Sequence, residues 1–390
     1  MFIEIKVNIL LLLHTFILVH LVELAISDQH RSQPCKSGET CKSLDQCPHL
    51  YAAYNSSLDT KNTISKRSCG DTTKTGASEL FCCPRPPNFL PINGCGRGGN
   101  RTEGRKAGLK EFPWMAMLLY WNSFTKQLQP GCGGSLINNW YVLTAAHCVR
   151  DPGNPSIGPP KRVRLGEHNT ATNPDEGYVN GRWLKAPPYV EIHVDLSIVH
   201  GKFNHGTDYK NDIALLRLQI PVRYSGAIYP ICLPDQSQNT SYNRIFEAAG
   251  WGNHSPVFIF LQERHPSDTK CKELKAFDYS TQICAGGDEV GSVSGDSGGP
   301  LMAIMQWKKK NVTYLAGIIS YGFKIGHGKN HPSFYTKTRK YIPWINSFFK
   351  SKWHSKPKSL FKDPNKCLRE LKRKFIPQKS VFEYSDDCEN

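Results

Sequence analysis

Residues 295–300 read Gly-Asp-Ser-Gly-Gly-Pro, and this stretch decides how the rest of the chain is interpreted. Ser297 lies between glycine-rich segments, so little side-chain bulk prevents a carbonyl substrate from approaching its hydroxyl. The backbone N–H groups of Gly295 and Ser297 can point into one small space, as the donors of an oxyanion hole do. The stretch therefore predicts a nucleophilic serine.

A serine hydroxyl is a weak nucleophile unless a histidine takes its proton and a carboxylate orients that histidine. The chain supplies both groups upstream: His147 stands in Leu-Thr-Ala-Ala-His-Cys at 143–148, and Asp212 in Asn-Asp-Ile-Ala-Leu-Leu at 211–216. Any one of these motifs alone would indicate a turn or ordinary packing. Together and in this order they predict a catalytic triad of His147, Asp212 and Ser297.

The order His, Asp, Ser is that of the chymotrypsin-like serine proteases, and it differs from the orders in subtilisin and the α/β-hydrolases. The chain resembles that family from about residue 102 to residue 350, where five further motifs agree. They are Pro113-Trp114, Cys132-Gly133-Gly134-Ser135-Leu136, Gly250-Trp251-Gly252, Ser320-Tyr321-Gly322 and Tyr335-Thr336. The resemblance implies an all-β protease domain of two six-stranded antiparallel β-barrels, with the active site between them.

Several short runs of strand-forming residues agree with this fold, at 115–120, 141–143, 213–218 and 315–320, and a final helix is expected near Tyr341. The resemblance also implies the roles of the site residues. Ser297 attacks the peptide carbonyl, His147 carries the proton, Asp212 stays ionised, and Ser320 hydrogen-bonds Asp212. No metal or organic cofactor is required.

Composition and the N-terminus predict a secreted protein. The chain has 390 residues, more than one ordinary domain, and its 14 cysteines are an even number, typical of a disulfide-bonded chain. Zinc binding is the alternative, but the paired ligand spacing is absent. Residues 1–27 resemble a signal peptide, with an uncleaved membrane anchor as the alternative. No later stretch is apolar enough to span a bilayer, so the mature protein is expected to be soluble and extracellular.

Residues 28–83 contain six cysteines in a segment too short to fold without crosslinks. Their spacing, which ends in adjacent cysteines, resembles the clip domain of arthropod proteases; another small disulfide module is the alternative. The resemblance implies the pairs Cys35–Cys82, Cys41–Cys69 and Cys47–Cys83. A clip domain followed by a chymotrypsin-like domain indicates an arthropod protein of haemolymph or venom.

The remaining cysteines are assigned through the same resemblance. Residues 84–101 form a linker rich in proline, glycine and arginine that contains a possible activation region, and residues 102–350 form the protease domain. The implied pairs are Cys95–Cys232, Cys132–Cys148 and Cys271–Cys284. Cys367 and Cys388 are left over in the extension 351–390 and are paired with each other, with an intermolecular link as the alternative.

The extension 351–390 is rich in lysine, and the whole chain has a formal net charge of +16. This charge predicts binding to an anionic polysaccharide or surface, although a solvated tail explains the lysines equally well. A nucleic-acid partner is not expected, because no nucleic-acid motif accompanies the charge and the protein is predicted to be secreted.

The activation region departs from the family pattern. Family zymogens are cut before an Ile-Val-Gly-Gly-like sequence, whose new ammonium pairs with the aspartate before the nucleophile, here Asp296. Cutting after Arg101 would expose Thr102 instead, a polar residue that fills an apolar pocket poorly. Asn100-Arg101-Thr102 is also a glycosylation sequon, and a glycan on Asn100 would obstruct the bond.

The specificity pocket departs too. In the family, an aspartate six residues before the nucleophile selects Arg or Lys, whereas this chain has Gly291 there. Gly322 and Ser333 are the expected walls, and Ser320 is included among the pocket residues. Without a buried carboxylate, an arginine would enter the pocket unpaired, so uncharged side chains before the cut are expected to be preferred.

Two family disulfides are missing. Val293 stands at one cysteine position and the partner near Gly326 is also absent, which predicts a looser pocket rim. Glu176 and Lys185 occupy the positions of the second pair, where an exposed ion pair would contribute little stability. The segment after Trp251 is shorter than the family loop that borders the active site.

Five sequons predict glycosylation, at Asn55, Asn100, Asn239, Asn253 and Asn311. The sequence as a whole predicts a serine endopeptidase of an arthropod immune, melanisation or venom cascade. Its partners would be a protein substrate, an upstream activating protease and a serpin-type inhibitor. The alternative is an inactive homologue that acts as an adaptor or decoy.

Overall fold

A computed structural model describes part of the chain. The described residues are 35–36, 39–54, 58–69, 79–84, 94–99, 106–150, 158–179, 181–203, 209–234, 245–252, 259–264, 271, 277–286, 295–307, 310–322, 332–350 and 381–384. The chain divides into two compact units, Met1–Arg85 and Pro86–Asn390. Among the described residues, no helix has the length and apolar character needed to cross a membrane.

The first unit is a small three-stranded antiparallel sheet with two short helices. Its elements are β1 (Glu39–Ser43), a 3₁₀ turn (Leu44–Gln46), α1 (Pro48–Tyr54), α2 (Leu58–Ser65), β2 (Ser68–Cys69) and β3 (Leu80–Pro84). The strand order is β1-β3-β2. The buried apolar side chains are few, with Leu50, Ile64 and Phe81 the largest, so crosslinks must supply part of the stability.

Disulfides supply that stability. The structure joins Cys35 to Cys82, Cys41 to Cys69 and Cys47 to Cys83 in the first unit, and Cys95 to Cys232, Cys132 to Cys148 and Cys271 to Cys284 in the second. These are the six pairs that the resemblance implies, and each contributes about 2–4 kcal/mol by restricting the unfolded chain. Cys367 and Cys388 lie outside the described residues.

A closed antiparallel barrel forms the first half of the second unit. Its strands are β4 (Met115–Asn122), β5 (Gln127–Leu136), β6 (Tyr141–Thr144), β7 (Arg162–Leu165), β10 (Val190–His200) and β11 (Ala214–Leu218). Between β7 and β10 along the chain, β8 (Glu176–Val179) and β9 (Arg182–Lys185) form a separate hairpin. The order is β11-β6-β5-β4-β7-β10, and β10 pairs with β11 to close the barrel. The β8–β9 hairpin contains the predicted ion pair, in which Lys185 Nζ lies 2.7 Å from Glu176 Oε1.

A second six-stranded antiparallel sheet follows. Its strands are β12 (Ile245–Gly250), β13 (Ile259–Arg264), β14 (Gln282–Ala285), β15 (Pro300–Trp307), β16 (Lys310–Gly322) and β17 (Ser333–Lys337), in the order β13-β12-β15-β16-β17-β14. Apolar side chains of β12, β14, β15, β16 and β17 form a buried cluster around Tyr314, Tyr335 and Phe246. Two six-stranded sheets of this kind confirm the all-β prediction for the protease domain.

Among the described residues, two helices and one further strand belong to the second unit, and the second of these helices packs against the first barrel. A short helix, α3 (His147–Arg150), follows β6; a 3₁₀ turn (Thr338–Tyr341) leads from β17 into α4 (Ile342–Lys350), so the final helix begins where it was predicted. On α4, Phe349 packs edge-on against Tyr141 of β6, with ring centroids 5.1 Å apart. A last strand, β18 (Val381–Tyr384), adds to β10 in parallel.

Removing a buried aromatic side chain from α4 is expected to be costly. Phe348 is 2% exposed, so Phe348→Ala should lower the free energy of unfolding by about 3–5 kcal/mol, because it removes apolar burial and leaves a cavity. Urea unfolding with the disulfides intact measures this as a lower midpoint with an unchanged slope. The same substitution at Phe124, which is 80% exposed, is the control. Equal losses in the two variants would contradict the packing assigned to α4.

Candidate active site

His147 is held at the end of β6 by its neighbours. Ala145 and Ala146 are fully buried, and His147 itself begins α3 with a side chain 13% exposed. The Cys132–Cys148 disulfide ties the next residue to β5, and the Cys148 carbonyl accepts a 2.9 Å hydrogen bond from the Tyr120 hydroxyl. These contacts fix the backbone, so the imidazole has little freedom to leave the site.

Asp212 is a fully buried carboxylate two residues before the start of β11. Its Oδ1 accepts a 2.9 Å hydrogen bond from the backbone N–H of His147, and its Oδ2 lies 2.8 Å from His147 Nδ1. The Ser320 hydroxyl donates to the same Oδ2, and the Thr336 hydroxyl donates to the Asp212 carbonyl at 2.8 Å. The carboxylate is therefore surrounded by donors from both halves of the unit.

These donors decide the charge of Asp212. Burial alone would raise its pKa, but the charge of His147 and the hydrogen bonds from His147 and Ser320 outweigh burial and hold the pKa below the ordinary 3.8. Asp212 is therefore ionised at neutral pH and accepts a hydrogen bond from the Nδ1–H group of His147. That bond selects the tautomer in which Nε2 is the nitrogen that can take a proton.

Ser297 lies on a tight turn between Gly295 and Gly298, which have φ angles of 99° and 79°. The Ser297 carbonyl accepts a 2.8 Å hydrogen bond from Gly133 N–H on β5, and Gly298 N–H donates to the Ile319 carbonyl on β16 at 2.8 Å. A side chain at Gly298 would place its Cβ 2.2 Å from Thr144 Oγ1. Glycine is thus required where the serine turn presses against the segment that carries His147.

Asp296 anchors the same turn from inside. It is 6% exposed, and its Oδ1 accepts a 2.8 Å hydrogen bond from Gly252 N–H. A Cβ at Gly250 would lie 2.0 Å from that oxygen, so the Gly-Trp-Gly motif at 250–252 leaves room for the carboxylate. Arg101 and Thr102, which flank the predicted cut, lie outside the described residues.

The predicted pocket residues separate into three groups. Gly322 and Ser333 face each other as cross-strand partners on β16 and β17, and a Cβ at Gly322 would lie 3.8 Å from the Ser333 hydroxyl. Ser320 has its hydroxyl on Asp212, as the resemblance implies for that role. Gly291 and Val293 lie outside the described residues.

An aromatic wall beside His147 was not predicted. The Tyr209 ring meets the His147 ring edge-on at 6.0 Å and stacks on Tyr321 at 5.0 Å; Tyr321 stacks in turn on Phe334 at 4.6 Å. Tyr209 adopts a left-handed φ of 46°. The only sequence signals were the closeness of Tyr209 to Asp212 and of Tyr321 to Ser320. This wall gives the site an apolar side.

Two groups of metal-ligand side chains lie close together in the described residues: Cys35, Cys69 and Cys82, and Cys132, His147 and Cys148. All five cysteines are disulfide-bonded, so their sulfurs are not thiolate ligands.

Among the sequons, Asn311 is exposed at the start of β16. Asn55, Asn100, Asn239 and Asn253 lie outside the described residues.

Comparison with known proteins agrees with the fold. The family model for trypsin matches residues 101–345. The Drosophila melanogaster Spaetzle-processing enzyme is 34% identical over 392 residues, covering 85% of this chain and 97% of that protein. Melanization protease 1 of the same species is 38% identical over 298 residues, covering 70% of each.

Two further relatives extend the comparison. Phenoloxidase-activating factor 1 of Holotrichia diomphalia is 35% identical over 336 residues, covering 78% of this chain and 89% of that protein. The crystal structure of the Drosophila Grass clip serine protease of the Toll pathway superposes with a TM-score of 0.58 at 27% identity, covering 80% of this chain and 94% of that one.

The chain belongs to the trypsin family of serine proteases. Within that family it is an arthropod clip-domain serine protease, which confirms the class that the motifs predicted. The prediction of a hydrolase of the serine endopeptidase type is confirmed by the same relatives.

Removing the Ser320 hydroxyl should destabilise the protein in a pH-dependent way. The depressed pKa of Asp212 contributes stability above the ordinary carboxyl pKa, and this stability is lost as pH falls through the folded pKa. Ser320→Ala should therefore cost about 2 kcal/mol near neutral pH, and the difference from wild type should shrink in acid. Urea unfolding from pH 7 downward measures it.

Ser123→Ala, on the exposed turn after β4, is the matched control and should differ little from wild type at every pH. A loss in Ser320→Ala that stays constant across the acid range would contradict a bond to the charged form of Asp212.

Proposed function

We propose that His147, Asp212 and Ser297 form a catalytic triad that hydrolyses peptide bonds in a protein substrate. The observation that carries the proposal is the buried Asp212 carboxylate on His147 Nδ1, because burying an ionised group so completely demands compensating donors. A purely structural histidine at this position would not need a buried charge behind it.

In this mechanism, Ser297 Oγ attacks the substrate carbonyl carbon while His147 Nε2 takes the hydroxyl proton. The backbone N–H groups of Gly295 and Ser297 stabilise the oxyanion, which is worth several kcal/mol in the transition state. The imidazolium then gives its proton to the departing amine. Water repeats the sequence on the acyl-enzyme, and Asp212 stabilises the imidazolium at both steps without taking a proton.

We propose that the enzyme prefers substrates with an uncharged side chain at the residue before the cleaved bond. Gly291 offers no carboxylate in the sequence, and Gly322 and Ser333 are both uncharged. The wall of Tyr209, Tyr321 and Phe334 adds apolar surface on the side of His147. An arginine side chain would lose its water there without gaining a partner.

The biological setting is proposed from the relatives. Their names refer to processing of Spaetzle, melanization and activation of phenoloxidase. We propose a secreted protease that acts on a protein substrate in an arthropod immune or melanisation cascade, in haemolymph. An upstream protease would cut near Arg101, a serpin-type inhibitor would limit the activity, and the lysine-rich extension would bind an anionic surface. A venom protease is the alternative setting.

An inactive adaptor is the alternative function, and one observation favours it. Thr102 and Glu103 would begin the chain after cleavage at Arg101, and neither is an apolar residue suited to the pocket beside buried Asp296. If no ammonium reaches Asp296, the serine turn would not reach its active form, and the intact triad residues would serve only the fold.

A fluorophosphonate probe separates these functions, because it reacts only with an activated serine beside a formed oxyanion hole. After cleavage of the full-length protein, we expect labelling that is absent in Ser297→Ala and unchanged in Ser123→Ala. N-terminal sequencing of each fragment identifies the bond that must be cut. Absence of labelling both before and after cleavage near Arg101 would favour the adaptor.

The pocket hypothesis is tested by restoring the family carboxylate. Gly291→Asp should increase kcat/KM for arginine peptides relative to apolar peptides by about a hundredfold, because the buried guanidinium gains an ionised partner. Ser123→Asp adds the same charge on an exposed turn and should leave the ratio unchanged. A wild-type enzyme that already prefers arginine peptides would contradict the assignment of Gly291.

A further inference from the structure

The outer edge of β10 changes its partner halfway along the strand. Val190–His193 pair with Arg162–Leu165 of β7, whereas residues 194–199 pair with β11 on the other edge. β18 pairs with residues 197–200, so it must lie on the edge that β7 leaves. Of the strands in the described ranges, β18 alone pairs with this part of that edge.

This half of β10 is buried in the structure that includes β18. Ser197, Ile198, Val199 and His200 are each less than one-tenth exposed. Backbone N–H and C=O groups in a buried edge need hydrogen-bond partners, and an uncovered edge is a template for pairing with another strand. The edge is therefore suited to bind an extended segment, in the mode known as strand addition.

The occupant is a segment of the same chain. Val381–Tyr384 pairs in register, from Ser197 with Val381 to His200 with Tyr384. The segment reads Val-Phe-Glu-Tyr, with three residues that favour strands. Thirty residues separate it from the end of α4, and a segment of that length can span about 100 Å when extended.

The end of β10 and the turn after it bind both neighbours of Asp212. His200 N–H donates to the Ile213 carbonyl at 3.1 Å, and the Asn211 side-chain amide donates to the Lys202 carbonyl at 2.8 Å. The His200 ring lies 5.4 Å from the Tyr341 ring, and the Tyr341 hydroxyl donates to Asn211 Oδ1 at 3.0 Å. A shift at the end of β10 would therefore displace the residues on both sides of Asp212.

We propose that the outer edge of β10 at residues 197–200 is a strand-binding site for the chain's own segment Val381–Tyr384, and that the bound segment positions Asp212 for catalysis. The strand-binding half is independent of activity, whereas the positioning half rests on the proposed protease function. The extension therefore acts on the first barrel through backbone pairing, in addition to any role of its charge.

Two single variants of the full chain test the strand binding. Consecutive residues of a strand send their N–H groups to opposite sides, so only one of Val381 and Phe382 can donate to β10. Proline is tolerated where the N–H points away and breaks the pairing where it points inward. Val381→Pro and Phe382→Pro are therefore matched controls for each other, and both leave Cys367 and Cys388 in place.

Hydrogen exchange of peptides covering residues 196–203 is the measurement. We expect one proline variant to exchange about tenfold faster than wild type there and the other to match wild type, while β15 and β16 are unchanged in both. Equal exchange in wild type and both variants would overturn the strand-binding site.

Peptide hydrolysis by the variant that loses protection tests the positioning of Asp212. We expect a lower kcat with a similar KM, and an acid limb of the pH profile shifted to lower pH, because a displaced Asp212 stabilises the His147 imidazolium less. An unchanged kcat and acid limb would overturn the positioning role. If wild type neither hydrolyses peptides nor takes the fluorophosphonate probe, the protease proposal and the positioning role fail together, and the exchange comparison still decides strand binding.

Discussion

The buried carboxylate of Asp212 constrains how the two halves of the second unit are placed. Asp212 is completely removed from water, and an ionised carboxylate in that position would be strongly unfavourable without donors. His147 contributes a backbone and a ring N–H, and Ser320 contributes a hydroxyl. Because these groups come from α3 and β16, the charge can be buried only when the two halves of the unit are correctly placed.

The turn that carries Ser297 also depends on the correct placement of the two halves of the second unit. Gly133 of β5 binds the Ser297 carbonyl, while Gly298 N–H binds Ile319 of β16. The turn is therefore fastened to both β-sheets, and Asp296 fastens it to the 250–252 motif as well. Groups held at this many points lose little freedom when a reaction begins, which is what electrostatic preorganisation requires.

The β8–β9 hairpin is held by weak, non-covalent contacts. An exposed ion pair joins Glu176 and Lys185, and the pKa of Glu176 is lowered by the hydrogen bonds from Lys185 and Trp183. Such a pair is screened by salt and restrains the unfolded chain far less than a crosslink does. The hairpin keeps its register through backbone pairing and the contact of Tyr178 with Trp183.

The sequence by itself determined the family, the all-β protease domain, the final helix near residue 342 and the residues that meet at Asp212. It could do so because the chemistry of acyl transfer demands particular side chains, and each sits in a short local motif such as that around His147 or Ser297. The six described disulfide pairs followed from resemblance alone, since spacing leaves many connectivities open.

Only the tertiary structure decided the contacts between distant segments. Tyr209, Tyr321 and Phe334 form one stack although more than a hundred residues separate the first from the second, and β18 pairs with β10 across 180 residues. Neither contact follows from local periodicity, because the sequence around an aromatic residue or a short strand does not indicate which distant segment it will contact. Packing and backbone pairing in the folded chain select that partner, and the local sequence supplies only the surface that can be paired.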